Sequence, residues 1–100
     1  MKNRLMMLSL GLVVSAGAFA ADVPYAEQLS LQEKGVIKTF EGVKAGVLEL
    51  HPNAVIHEVE LDKTFLRYEY EIDLVDAQNV EWDVDVDAET GEILKNRIDD

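Results

Sequence analysis

The chain has 100 residues, 9 of them Lys or Arg and 20 Asp or Glu, for a formal net charge of −11, with 48% hydrophobic residues and no Cys. That length allows one small domain. The acidic balance argues against a nucleic-acid partner, whose phosphates are bound by Lys and Arg. The missing Cys excludes a disulfide scaffold, a Cys-based zinc site, a thiol nucleophile and an S-linked lipid.

Residues 1–20 have the layout of a secretory signal peptide. Lys2 and Arg4 make a basic start, Leu5 to Phe19 is an almost unbroken apolar run, and Ala18-Phe19-Ala20 puts small residues where a signal peptidase reads. The run falls short of the about 20 apolar residues that cross a ~30 Å hydrocarbon core. Asp22 and Pro24 follow it at once. Cleavage is expected after Ala20, leaving a product that is periplasmic or secreted and not held in the membrane.

Residues 21–29 contain Pro24 and show no period, which predicts a flexible leader. Ser30-Leu31-Gln32-Glu33 reads as a capping box, and Val36, Phe40, Val43, Val47 and Leu50 then recur at spacings of four and three. One amphipathic helix of about twenty residues is predicted, ended at His51 because Pro52 disfavours the α region in the residue before it.

Past Pro52 the period changes to two. Val55, His57, Val59 and Leu61 alternate with Glu58, Glu60 and Asp62. Leu66, Tyr68, Tyr70, Ile72 and Leu74 alternate with Arg67, Glu69, Glu71 and Asp73, and Val80, Trp82, Val84 and Val86 with Glu81, Asp83, Asp85 and Asp87. These are strands with one apolar and one charged face. Asp62-Lys63-Thr64 and Asp76 to Asn79 are connectors short enough only for antiparallel neighbours, Gly91 closes a turn that requires positive φ, and Ile93 to Ile98 adds a short fourth strand. The predicted class is α+β: one helix packed on a three- to four-stranded antiparallel sheet, over residues 30–98.

The segments His51-Pro52-Asn53-Ala54, Glu58-Val59-Glu60-Leu61-Asp62, Tyr68-Glu69-Tyr70-Glu71-Ile72 and Trp82-Asp83-Val84-Asp85-Val86-Asp87-Ala88-Glu89-Thr90-Gly91-Glu92-Ile93 resemble the PepSY domain, over about residues 29–95. PepSY domains occur in propeptides of secreted metallopeptidases and as small exported proteins. The resemblance implies a non-enzymatic binding module that regulates or inhibits peptidases. Asn53 stands where the family usually has Gly, the Asp76 to Asn79 turn lacks the usual Gly, and Gly35 stands where Ala is commoner.

The residues themselves offer no catalytic set. The mature chain has only Ser30, Thr39, Thr64 and Thr90 as hydroxyl nucleophiles, with Ser30 assigned to the cap, and two imidazoles, His51 at the helix end and His57 at a boundary of the core. Asp83, Asp85 and Asp87 imitate the start of an EF-hand loop, but Ala88 replaces its Gly and Leu94 its closing Glu, so no metal site and no cofactor is assigned. Gly35, Gly42 and Gly46 fall on one predicted helix flank, either for close approach to the sheet or as a groove for a second chain. The strongest feature is the acidic sheet face. Its candidate partner-binding residues are Glu69, Glu71, Asp73, Glu81, Asp83 and Asp85, with Ser30, Pro52 and Gly91 as structural residues. The expected partner is another exported protein, a peptidase in the first instance. The alternative is a periplasmic accessory protein whose acidic face binds divalent cations weakly, for instance between Glu71 and Asp83 as cross-strand neighbours.

Overall fold

Gly35 divides the helical region in two. The computed structural model describes residues 20–99, with helices α1 at Tyr25–Glu33 and α2 at Phe40–Leu50. The predicted signal peptide, up to residue 19, lies outside the described residues. Gly35 takes φ +76°, its N–H bonds to the Gln32 carbonyl at 3.1 Å, and the Val36 N–H bonds to the Leu31 carbonyl at 2.9 Å. This pair of bonds is a Schellman ending, which satisfies carbonyls that the helix leaves open and favours a residue without a Cβ at the left-handed position.

The single twenty-residue helix is therefore corrected. Ser30 lies inside α1, its carbonyl accepting from the Lys34 N–H at 3.0 Å, and the predicted capping box does not form. Thr39 caps α2 instead, its Oγ1 accepting from the Gly42 N–H at 3.1 Å. Val36 falls in the connector, four residues before Phe40 by coincidence of spacing. Residues 21–29, expected as a flexible leader, contain the end of a strand and the first half of α1. The shared flank of three glycines also dissolves: Gly35 is a turn residue, and Gly42 and Gly46 are exposed, with no sheet atom where a Cβ would stand.

Five strands form one antiparallel sheet in sequence order: β1 Ala20–Asp22, β2 Val55–Thr64, β3 Tyr68–Val75, β4 Glu81–Asp87 and β5 Ile93–Ile98. The count exceeds the prediction by β1, whose three residues pair with Asp62 to Thr64. On one face Leu61, Tyr70, Ile72, Leu74, Val84, Val86 and Ala88 are buried against Ile37, Val43 and Val47. Burial of this apolar face holds the helices on the sheet. Phe40 meets the Tyr70 ring edge-on at 5.9 Å, and the Tyr70 hydroxyl donates to the Lys38 carbonyl at 2.6 Å, fixing the connector to the sheet.

Two strand assignments shift. The β2–β3 pairing slips between Ile56 and Glu58, so Ile56 takes the core side while Val55 and His57 are exposed. The slip is a bulge, and it removes His57 from the core boundary. Leu66 is not part of β3. It lies with Phe65 at the hairpin tip, which Thr64 Oγ1 closes through the N–H groups of Leu66 and Arg67. The Asp62-Lys63-Thr64 connector is corrected: these residues pair within β2, and the hairpin turns at Phe65 to Arg67. Gly91 takes the positive φ expected of it, +86°, and Asn53 and Asn79 take +65° and +68°. Asp76 serves the glycine-free turn, with Oδ1 accepting from the N–H groups of Gln78 and Val80 and Oδ2 from the Trp82 indole.

Candidate functional site: the open acidic face

The sheet face away from the helices is organised by register into three cross-strand rows. Asp22, Asp62, Glu69 and Asp87 form the first, Glu60, Glu71, Asp85 and Lys95 the second, and Glu58, Asp73, Asp83 and Arg97 the third. Glu81 stands opposite Val75 just below them. All six candidate binding residues thus share one surface, each half-buried. The anticipated Glu71 and Asp83 neighbours are diagonal: Glu71 faces Asp85, and Asp73 faces Asp83.

Among the described residues, Lys95 and Arg67 bring counter-charge to the margins of this face. Lys95 Nζ is 3.6 Å from Asp85, and Arg67 Nε is 3.8 Å from Asp87. Like charges directly opposed on strands are destabilising, so the face carries strain that carboxyls relieve by keeping protons. Burial pushes the Glu69 carboxyl up, with Asp85 adding to it. Asp85 is also raised by burial, against the pull of Lys95. Asp62 is the extreme case: burial, hydrogen bonding with Asp22 and Glu71 and their negative charge push it up to about 8.

Asp62, Glu60, Glu58 and Asp22 are members that sequence reasoning left out of the site. The alternation with Val59 and Leu61 carried the signal for three of them. Asp22 gave none, because it sits in a segment without period. Asp62 is only 5% exposed although it belongs to the open face, and its Oδ1 has no hydrogen-bond partner.

The two imidazoles sit in different surroundings. His51 ends α2, buried, with Nε2 bonded to Asn96 Oδ1 at 2.7 Å and its ring 4.6 Å from that of Trp82. It ties the helix to β5, which accounts for a polar residue there. His57 lines a cleft of about 260 Å³ with Glu58, Asp73 and Trp82. That is below the ~300–1,000 Å³ usual for small-molecule sites. The Asp83, Asp85 and Asp87 series runs along a strand and not a loop, so an EF-hand does not form. Among the described residues no helix is long and apolar enough to cross a membrane.

The profile of the PepSY family, described as peptidase propeptide and YPEB domain, matches residues 38–97. The chain belongs to the PepSY family. The match begins one residue before the Thr39 cap and ends within β5, so it spans α2 and the four long strands. This PepSY domain has β1 and α1 ahead of the matched region. Neither a curated protein nor a solved structure matches the chain. PepSY domains are propeptide and regulatory modules rather than catalytic ones.

Proposed function

We propose that this PepSY protein is an exported, non-enzymatic regulator that binds a peptidase through the open acidic face. The observation that carries the reading is the family match over residues 38–97, in a family described by peptidase propeptides. Export follows from the signal-peptide layout of residues 1–20, with processing after Ala20 leaving Ala21 and Asp22 to hold β1.

The face supports a division of labour. Rows of Glu69, Glu71, Asp73, Asp83 and Asp85 steer a basic surface and raise the association rate, while exposed charges add little affinity. Affinity needs desolvated apolar contacts. Phe65 and Leu66, 91% and 75% exposed at the hairpin tip beside the Asp62 and Glu69 row, supply them. The outer edge of β2 from Val55 to Glu60 has no strand partner among the described residues, but its bulge and its Glu side chains oppose strand addition. The hairpin tip and the acidic face, not that edge, are therefore the contact surface.

The test is inhibition. Peptidases purified from the exported fraction of the source cell are assayed with and without the chain at low salt. At least one should be inhibited or co-elute with the chain, and Phe65→Ser with Leu66→Ser should weaken that effect about tenfold or more while the fold is kept. No effect on any exported peptidase would end the regulator reading.

A further inference from the structure

Asp22, Glu60 and Asp62 each offer a carboxylate oxygen, and the three oxygens lie within 4.8 Å of one another. Two oxygens 4.8 Å apart can both stand about 2.4 Å from one ion, the usual Ca²⁺ to oxygen distance. A second observation sets this trio apart from other acids on the face. Asp62 is 95% removed from solvent, and its Oδ1 is the one buried side-chain polar atom without a hydrogen-bond partner among the described residues. A buried carboxylate oxygen without a donor is costly, and a bound cation would satisfy it.

We propose that Asp22, Glu60 and Asp62 form a divalent-cation site of Ca²⁺ size that clips β1 onto β2. Asp22 comes from β1, Glu60 and Asp62 from β2, and Asp22 stands directly opposite Asp62. Glu71, diagonal to Asp62 and in contact with it, borders the site without joining the trio. All donors are hard carboxylates with no imidazole or thiolate among them, which selects Ca²⁺ over softer transition ions. The strand pairing of β1 covers only three residues, so an ion shared by both strands would account for how so short an edge strand holds with two acids face to face. The site would link external Ca²⁺ to the ordering of the segment that enters α1. Nothing in it depends on the peptidase reading.

The experiment adds CaCl₂, MgCl₂ or NaCl of matched ionic strength to purified, chelator-stripped protein. Thermal midpoint and amide exchange are both read. Ca²⁺ should raise the midpoint saturably, by about 5–10 °C at ten times its Kd, in the about 10⁻⁴–10⁻³ M range of extracellular sites. It should slow exchange at Asp22 and at Leu61 to Thr64. Asp62→Asn and Glu60→Gln should abolish both responses, and Asp83→Asn, on the same face but outside the trio, should keep them. Glu60 is exposed, so its replacement leaves the fold testable if Asp62→Asn does not. A rise reproduced by NaCl, equal responses to Mg²⁺ and Ca²⁺, protection centred elsewhere, or persistence in Glu60→Gln would each overturn the proposal.

Discussion

Asp22 of β1 and Asp62 of β2 are directly opposed, two carboxyls on one face of the sheet with Asp62 only 5% exposed. The pairing that seats the N-terminal strand thus also sets two like charges face to face. In the absence of a cation, a proton held by Asp62, whose carboxyl is raised by burial, relieves the repulsion.

The pH dependence of the metal-free fold follows. With the Asp62 carboxyl raised from 3.8 to about 8, the native state holds more protons than the unfolded state between those values, so stability falls as pH rises through that window. Glu69 and Asp85 act in the same sense. Asp76 acts in the opposite sense: the Val80 N–H and then the Trp82 indole lower it, so its contribution is lost as pH falls through its folded value. Thermal melts in chelator should peak near about pH 5 and decline toward about pH 8. Asp62→Asn should flatten the decline, recovering on the order of 1 kcal/mol at the alkaline end, about 4–8 °C for a domain of this size. A midpoint that climbs steadily from pH 5 to pH 8 would show that Asp62 is ionised and stabilised.

The two-helix arrangement makes contrasting demands on two hydroxyl residues. Thr39→Ala removes the α2 cap and should cost about 1 kcal/mol, within a range of ~0.5–2. Ser30→Ala, inside α1, should change stability by less than about 0.5 kcal/mol, since Ala is the better helix former. Urea unfolding of both variants measures this. Equal losses would restore a helix start at Ser30.

At Gly91 the backbone is left-handed, and a Cβ there would meet Lys38 and Val43 only at ordinary contact distances of 3.8–4.0 Å. The cost of Gly91→Val is therefore conformational and should be about 1–3 kcal/mol. Gly91→Asn should cost less, because Asn visits this region more readily. If both variants unfold at the wild-type midpoint, the turn is not under this constraint.

Processing is predicted after Ala20. Intact mass of the exported product should begin at Ala21, which keeps Asp22 and its pairing with Asp62. A product that begins beyond Asp22 would lose β1 and with it the cation site.

The sheet was legible in the sequence because alternation over Tyr68 to Leu74 and Glu81 to Asp87 leaves one apolar face to bury, and the antiparallel order followed from short connectors. The acidic surface was legible for the same reason. Three features were not. Val36 lies at helical spacing from Phe40, so period alone masked the break, although Gly35 and Thr39 are an adjacent stop and start. The bulge at His57 reverses parity in mid-strand, and neighbouring Val55 and Ile56 are equally apolar, so pattern did not fix which turned inward. Asp22 is drawn into the site by pairing with residues forty positions away, a long-range contact that a three-residue strand cannot announce.

The association rate between this PepSY protein and an exported peptidase that it inhibits, followed against salt, tests the central claim most directly. At low salt the wild-type chain should associate fast, and added salt should slow it. Glu71→Lys with Asp83→Lys should slow association about tenfold while leaving dissociation within about twofold. An association rate untouched by salt and by charge reversal, or no exported peptidase that binds at all, would contradict the account.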